Sequence, residues 1–304
     1  MDMNGDGFVD LVHARDAGSW DVWLGLGDGA QNSFTVGPVQ WDLPVGGTAA
    51  IRETVDCYHR RPPPQSPVPA RCTTRDTFDI TGDGVPDYIV ALKEEPVNSQ
   101  NCNWRYWDVY PGYAPGLSGG GGFAETPIQW LAPLYEVPTG ETPKSPPIRQ
   151  DVIDKSGANL ADEDAFTVQD LIDMNADGLP DLVVAPGGQS TPAPYGWKIY
   201  LNQGNGFDSY EYAGLAAGYS GSACTPINFE ALGANGSVAA PSQWIAHQEV
   251  RTGGSSGKVD RQVADVNGDG IPDYLVSTGC TVGPSVNCLL VTHGTGHGFS
   301  TITG

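Results

Sequence analysis

Apolar residues along this chain fall in short runs broken by glycine, proline and acidic stretches. LVHA after Asp10, YIVAL after Asp87, LVVA after Asp181 and YLVS after Asp273 are rich in β-branched side chains and too short for helices, so they predict strands. A second, more aromatic run follows each and ends in a glycine turn and a phenylalanine: WDVWLGLGDG to Phe34, WRYWDVYPGYAPGLSGGGG to Phe123, WKIYLNQGNG to Phe207 and CLLVTHGTGHG to Phe299. Ahead of three of the first runs stand RDTFDI, TVQDLI and RQVADV, which also read as strands. No stretch of 18 apolar residues exists, so no membrane-spanning helix is expected.

Between the upstream strand and the first apolar run lies one nonapeptide, repeated four times: DMNGDGFVD from Asp2, DITGDGVPD from Asp79, DMNADGLPD from Asp173 and DVNGDGIPD from Asp265. The first aspartates are 77, 94 and 92 residues apart, which marks a repeat architecture of large units. About four short strands per unit is the content of a propeller blade, so the expected fold is all-β, a β-propeller. Blade-like units are expected at 1–50, 75–135, 165–215 and 260–304, with insertions at 51–74, 136–164 and 216–259. Inside the insertions IRETV, IRQDV and IAHQEV begin at Ile51, Ile148 and Ile245 and predict one extra strand each. The first unit shows no upstream strand, which raises the expectation that the chain is a fragment of a larger propeller. The proline-rich stretches Arg60 to Arg71 and Pro138 to Pro147 are expected as surface loops, because each proline removes a ladder donor.

The nonapeptide carries oxygen ligands at the spacing a hard divalent cation requires: side chains at positions one, three, five and nine, and a main-chain carbonyl at seven. The predicted sets are Asp2, Asn4, Asp6, Phe8 and Asp10; Asp79, Thr81, Asp83, Val85 and Asp87; Asp173, Asn175, Asp177, Leu179 and Asp181; and Asp265, Asn267, Asp269, Ile271 and Asp273. Up to four calcium ions are implied. An EF-hand is excluded, since it needs a bidentate Glu at position twelve, where this chain has His13, Val90, Val184 and Val276. Gly7, Gly84, Gly178 and Gly270 at position six fit a turn with positive φ, while Ala176 departs from glycine at position four.

Thirty-six acidic against fifteen basic residues give a formal charge of -21, which argues against nucleic acid as a partner and for cations. Six cysteines allow disulfides, of which the local pairs Cys57 with Cys72 and Cys280 with Cys288 are predicted; Cys102 and Cys224 remain to pair at a distance. Such bonds place the protein outside the cell.

At these residues the chain resembles the FG-GAP and VCBS calcium-binding propeller repeats, in which such a loop joins two strands of a blade. The unit spacing, the IRETV-type inserts and the stretch from Trp197 to Phe207 look like the propeller of the Tc toxin B component and Rhs-repeat proteins. That likeness implies a secreted, toxin-associated module that docks onto a partner; the YD-type repeats of the encapsulating part of that family are not visible. The five histidines, His13, His59, His247, His293 and His297, lie near no GxSxG-type nucleophile motif, and HGTGH falls on a glycine turn. The expected function is therefore a calcium-stabilised interaction module for a protein or glycan surface, not an enzyme. The competing readings are a calcium-dependent polysaccharide lyase or hydrolase of propeller fold and a carbohydrate-binding adhesin.

Overall fold

A computed structural model of the chain describes residues 1–14, 18–27, 33–44, 50–59, 68–91, 106–116, 120–133, 145–154, 163–185, 195–207, 238–240, 244–250, 258–279, 287–295 and 299. It is all-β, with no helix among these residues. Each acidic nonapeptide is followed by a strand that opens at its last aspartate or one residue later: β1 (Leu11–Ala14), β6 (Asp87–Val90), β13 (Asp181–Val184) and β18 (Asp273–Gly279). The aromatic runs form the antiparallel partners β2 (Ser19–Trp23), β7 (Tyr106–Tyr110), β14 (Tyr195–Tyr200) and β19 (Asn287–Thr292). The glycine turn then folds back, so that Phe34, Phe123, Phe207 and Phe299 bridge Gly25, Gly112, Asn202 and Gly294. An outer strand completes three units: β3 (Val39–Asp42) on β2, β10 (Ile128–Leu131) on β7, and β15 (Val238–Ala240) on β14.

Successive units are tied by strand pairing that skips far along the chain. Trp41 of β3 pairs in parallel with Gly121 of β9 (Gly121–Phe123), which pairs in turn with β8 (Gly112–Tyr113). A side chain on Gly121 would collide with the Trp41 ring, so the approach requires glycine there. Leu131 repeats the arrangement with Gly206.

Three units also begin with a lead strand: β5 (Val68–Phe78), β12 (Glu163–Ile172) and β17 (Lys258–Ala264). The C-terminal end of each pairs with its own unit, on β6, β13 and β18. Their N-terminal parts instead join the insert strands β4 (Glu53–His59), β11 (Arg149–Asp154) and β16 (Ala246–Val250). The result is a second, continuous antiparallel belt in the order β4-β5-β11-β12-β16-β17, alternating insert and lead strands. All three insert strands carry a register shift at the same step, Glu53/Thr54, Gln150/Asp151 and His247/Gln248, each against the lead strand that follows it. Pairings connect five strands in one sheet and fourteen in the other, with no ring closing among the described residues.

Two expectations change here. Lead strand β5 starts at Val68, inside the stretch expected to be insertion and proline-rich loop. Pro69 is tolerated because it lies one residue beyond the last pair with β11, Val152 with Ala70, where no ladder bond to that strand is lost. Residues 60–67 and 138–144 of the proline-rich stretches lie outside the described residues.

The cores lie between units. Met3, Trp20, Val22 and Trp41 of the first unit enclose Tyr88 and Phe123 of the second. Trp107 and Val109 of the second meet Leu182 and Phe207 of the third, and Trp197 and Ile199 of the third meet Tyr274 and Phe299 of the fourth. One position thus holds Trp20, Trp107 and Trp197, all fully buried, and the residue after the acidic loop (Tyr88, Leu182, Tyr274) plugs the preceding unit. Cys57 on β4 and Cys72 on β5 are joined in a disulfide across the belt. Its 15-residue separation corresponds to about 3 kcal/mol in the chain-entropy account. Cys102, Cys224 and Cys280 lie outside the described residues.

Trp197 makes edge-on contacts with Tyr274 at 5.7 Å and Phe299 at 5.3 Å between centroids. Trp197→Ala should lower the free energy of unfolding by about 3–5 kcal/mol, read from denaturant titration. A loss under 1 kcal/mol, about what an exposed side chain gives, would contradict an inter-unit core.

Candidate functional site

All four acidic loops adopt one backbone. Positions four and six have positive φ throughout: Gly5 and Gly7 (73° and 87°), Gly82 and Gly84 (77° and 89°), Ala176 and Gly178 (62° and 88°), Gly268 and Gly270 (78° and 84°). The position-one carboxylate closes the turn by accepting backbone N–H bonds. Asp2 accepts from Gly5 at 2.8 Å and Gly7 at 2.7 Å, Asp79 from Gly82 at 2.6 Å and Gly84 at 2.8 Å, Asp173 from Gly178 at 2.8 Å, and Asp265 from Gly268 at 2.7 Å and Gly270 at 2.9 Å. The position-five carboxylate accepts from the position-seven N–H in every loop, at 2.8–2.9 Å on Phe8, Val85, Leu179 and Ile271. In three loops it also takes the amide of the position-three residue, Asn4, Asn175 or Asn267, at 2.9 Å; Thr81 stands there in the second.

The loops are neighbours. A Cβ on Gly5 would collide with the Gly84 carbonyl, one on Gly82 with Leu179, and one on Gly270 would touch Ala176. They form a row along one end of the units.

Position nine behaves differently. Asp10, Asp87, Asp181 and Asp273 are buried, with both carboxylate oxygens engaged. One oxygen accepts from the start of the loop: Met3 at 2.7 Å, Ile80 and Thr81 at 3.0 Å, Met174 at 2.9 Å, Val266 at 3.2 Å. The other accepts from the glycine turn two strands away: Gly25 at 2.7 Å, Gly112 at 3.0 Å, Asn202 at 2.9 Å, Gly294 at 2.9 Å. Burial pushes the Asp87 carboxyl up to about 6 against the pull of those N–H groups. Asp181 is pushed up to about 7 by burial, with Asp177 and Asp173 adding to the rise. Burial acts the same way on Asp273, but Gly294, Val266 and the adjacent His293, 3.2 Å away, outweigh it and hold that carboxyl low.

The predicted ligands therefore separate. Positions one, three, five and seven lie on the loop and offer two carboxylates, a carbonyl and, in three loops, an amide, an all-oxygen set of the kind calcium takes; the Thr81 hydroxyl of the second loop is buried. The position-nine carboxylates point inward, and no three acidic, histidine or cysteine side chains gather into a metal-holding group among the described residues. Sequence spacing alone could not tell an inward from an outward aspartate, though the strand that opens at position nine or ten is the relevant signal. No protein-family model, curated protein or solved structure matches the chain.

Ala176 occupies a left-handed conformation that costs an L-residue about 1–2 kcal/mol relative to glycine. Ala176→Gly should raise stability by about 0.5–1 kcal/mol after its added chain entropy is counted, and an unchanged or lower unfolding midpoint would contradict the φ assignment. With chelator present, the raised Asp181 carboxyl contributes stability that is whole below its ordinary value of 3.8 and lost as pH climbs through about 7. The melting temperature should fall from pH 5 to pH 8, with a shallower fall in Asp181→Asn; equal slopes would remove Asp181 as a cause.

Proposed function

We propose that this chain is a calcium-stabilised segment of a β-propeller, secreted, that presents its inserts to a protein or glycan surface and performs no catalysis. The carrying observation is the row of four loops with one backbone and one set of oxygen donors. In each, carboxylates at positions one and five belong to the same turn and accept N–H bonds within it, a placement in which a divalent cation would offset their negative charge. The residues that would hold calcium are Asp2, Asn4, Asp6 and the Phe8 carbonyl in the first loop, and their counterparts in the other three. A calcium ion held there would supply positive charge to the turn, while Asp10, Asp87, Asp181 and Asp273 fix the turn to the strands.

Face-to-face packing of successive units supports the propeller reading, because each unit covers the apolar face of the one before it. The Cys57–Cys72 bond supports an oxidising, extracellular setting, where calcium is also abundant. The likeness to FG-GAP, VCBS and Rhs-type propellers agrees with both. Recognition then falls to the inserts, which differ in length and chemistry while the units repeat.

Metal analysis and calorimetric titration of the full chain should find several calcium ions, and excess chelator should lower the melting temperature. Asp269→Ala should remove one ion while leaving the chelated protein as stable as before, because Asp269 bonds only within its exposed turn. Thr81→Ala should weaken one site without abolishing it. Unchanged melting in chelator together with absence of bound calcium would refute the metal reading, and polysaccharide cleavage lost on mutating an acid outside the loops would refute the non-catalytic one.

A further inference from the structure

The three stretches that interrupt the repeat meet at one place on the belt. Stretch 51–74 supplies Val68 and Pro69 at the start of β5, stretch 136–164 supplies Val152, Ile153 and Asp154 at the end of β11, and stretch 216–259 supplies Trp244 just ahead of β16. With Phe166 of β12 they line a cavity of about 410 Å³, within the range of about 300–1,000 Å³ that ligand sites occupy. It stands apart from the acidic loops, since Phe166 precedes Asp173 along β12 by about 20 Å of strand.

The walls are held from behind. Val152, Val168 and Trp244 cluster with Val68 and Phe166, separately from the cores between units. The Phe166 ring stacks on His247 at 4.3 Å and lies 4.5 Å from Trp244 between centroids, and His247 is itself held by Asp260, 2.6 Å from its Nδ1. The main chain around Trp244 is tied down twice. Its carbonyl accepts from the Tyr274 hydroxyl at 3.0 Å, and the next N–H, of Ile245, donates to Thr167 at 2.9 Å. A wall ordered in advance loses little entropy when something binds against it.

The lining decides what fits. Its aliphatic part comes from β5 and β11 and its aromatic part from Phe166 and Trp244, while Asp154, exposed at the end of β11, is the one charged residue in it among the described residues. Asp164 stands directly opposite Asp154 across the β11–β12 pair, an arrangement in which two like charges are unfavourable. An anionic group is therefore disfavoured there, the more so on a chain of charge -21. A sugar fits as badly. Its hydroxyls would lose their water against valine, isoleucine and proline, and Trp244, at 8% exposure, offers little open ring face for stacking.

We infer that this cavity receives a large apolar side chain from a segment of a partner protein in which lysine or arginine stands beside that side chain. The side chain displaces water from the apolar walls, which supplies the affinity. The neighbouring cation lies against Asp154 and Asp164, which supplies the choice of partner. The inference rests on the reading of the chain as an interaction module and selects protein over glycan as what it meets; calcium takes no part in it.

The probes are the capped tripeptides Lys-Phe-Lys, Glu-Phe-Glu and Lys-Ser-Lys, added to the full chain and followed by saturation-transfer NMR. Lys-Phe-Lys should bind through its ring protons, Glu-Phe-Glu should bind more weakly by about tenfold, and Lys-Ser-Lys should give no transfer. Asp154→Lys, at an exposed position, should reverse the order of the first two peptides. Absence of Lys-Phe-Lys binding, equal binding of the first two, or an order that Asp154→Lys leaves unchanged overturns the inference. Transfer to cellotriose and not to the peptides also overturns it, by giving the cavity to a glycan. Calcium uptake is measured on the same samples, and Asp154 lies outside the four loops. Lost peptide binding with calcium uptake intact therefore strikes this inference alone, and peptide binding without calcium uptake upholds it while striking the metal reading.

Discussion

A carboxylate taken out of water costs several kcal/mol unless donors replace its hydration, and each unit of this protein is built around one that is so replaced. Asp10, Asp87, Asp181 and Asp273 receive N–H groups from two directions: the start of the acidic loop and the glycine turn at the end of the next strand. Such charge-assisted bonds are the stronger kind, and here they fix the acidic loop and the glycine turn to strands that already pair with one another. The upward shift of Asp87 and Asp181 shows that compensation is incomplete. The fold accepts that cost because the same carboxylate aligns the loop with the strand pair behind it.

The exposed part of the loop follows from this anchoring. With position nine fixed, positions one to seven must turn within a few residues, and the two positive-φ positions follow. That turn brings the carboxylates of positions one and five onto one surface, as Asp173 and Asp177 do in the third loop.

Much of this was legible in the chain. The repeat, the strand after each loop, the aromatic partner strand, the glycine turn returning to a phenylalanine and the extra strands in the inserts all follow from local pattern, because each is a short element bounded by its own turn residues. The inserts' role was not legible. Glu53, Gln150 and His247 share a register shift yet no chemistry, so nothing in their side chains announces it. The parallel tie of Trp41 to Gly121 joins residues 80 apart and leaves no local trace. That both oxygens of the position-nine carboxylates accept main-chain N–H groups was not legible either, because spacing counts oxygens but not the direction in which a strand turns them.

Because β5 and β12 each belong to a unit at one end and to the belt at the other, opening either strand breaks bonds in both. A repeat array whose modules touch only through their faces can fray one module at a time, as a nearest-neighbour chain does. Here the middle residues of the shared strands, Thr73 to Arg75 and Thr167 to Gln169, sit where both sheets overlap. Their amides lie where opening must part the belt and the unit together, which couples local opening in one unit to its neighbour among the described residues.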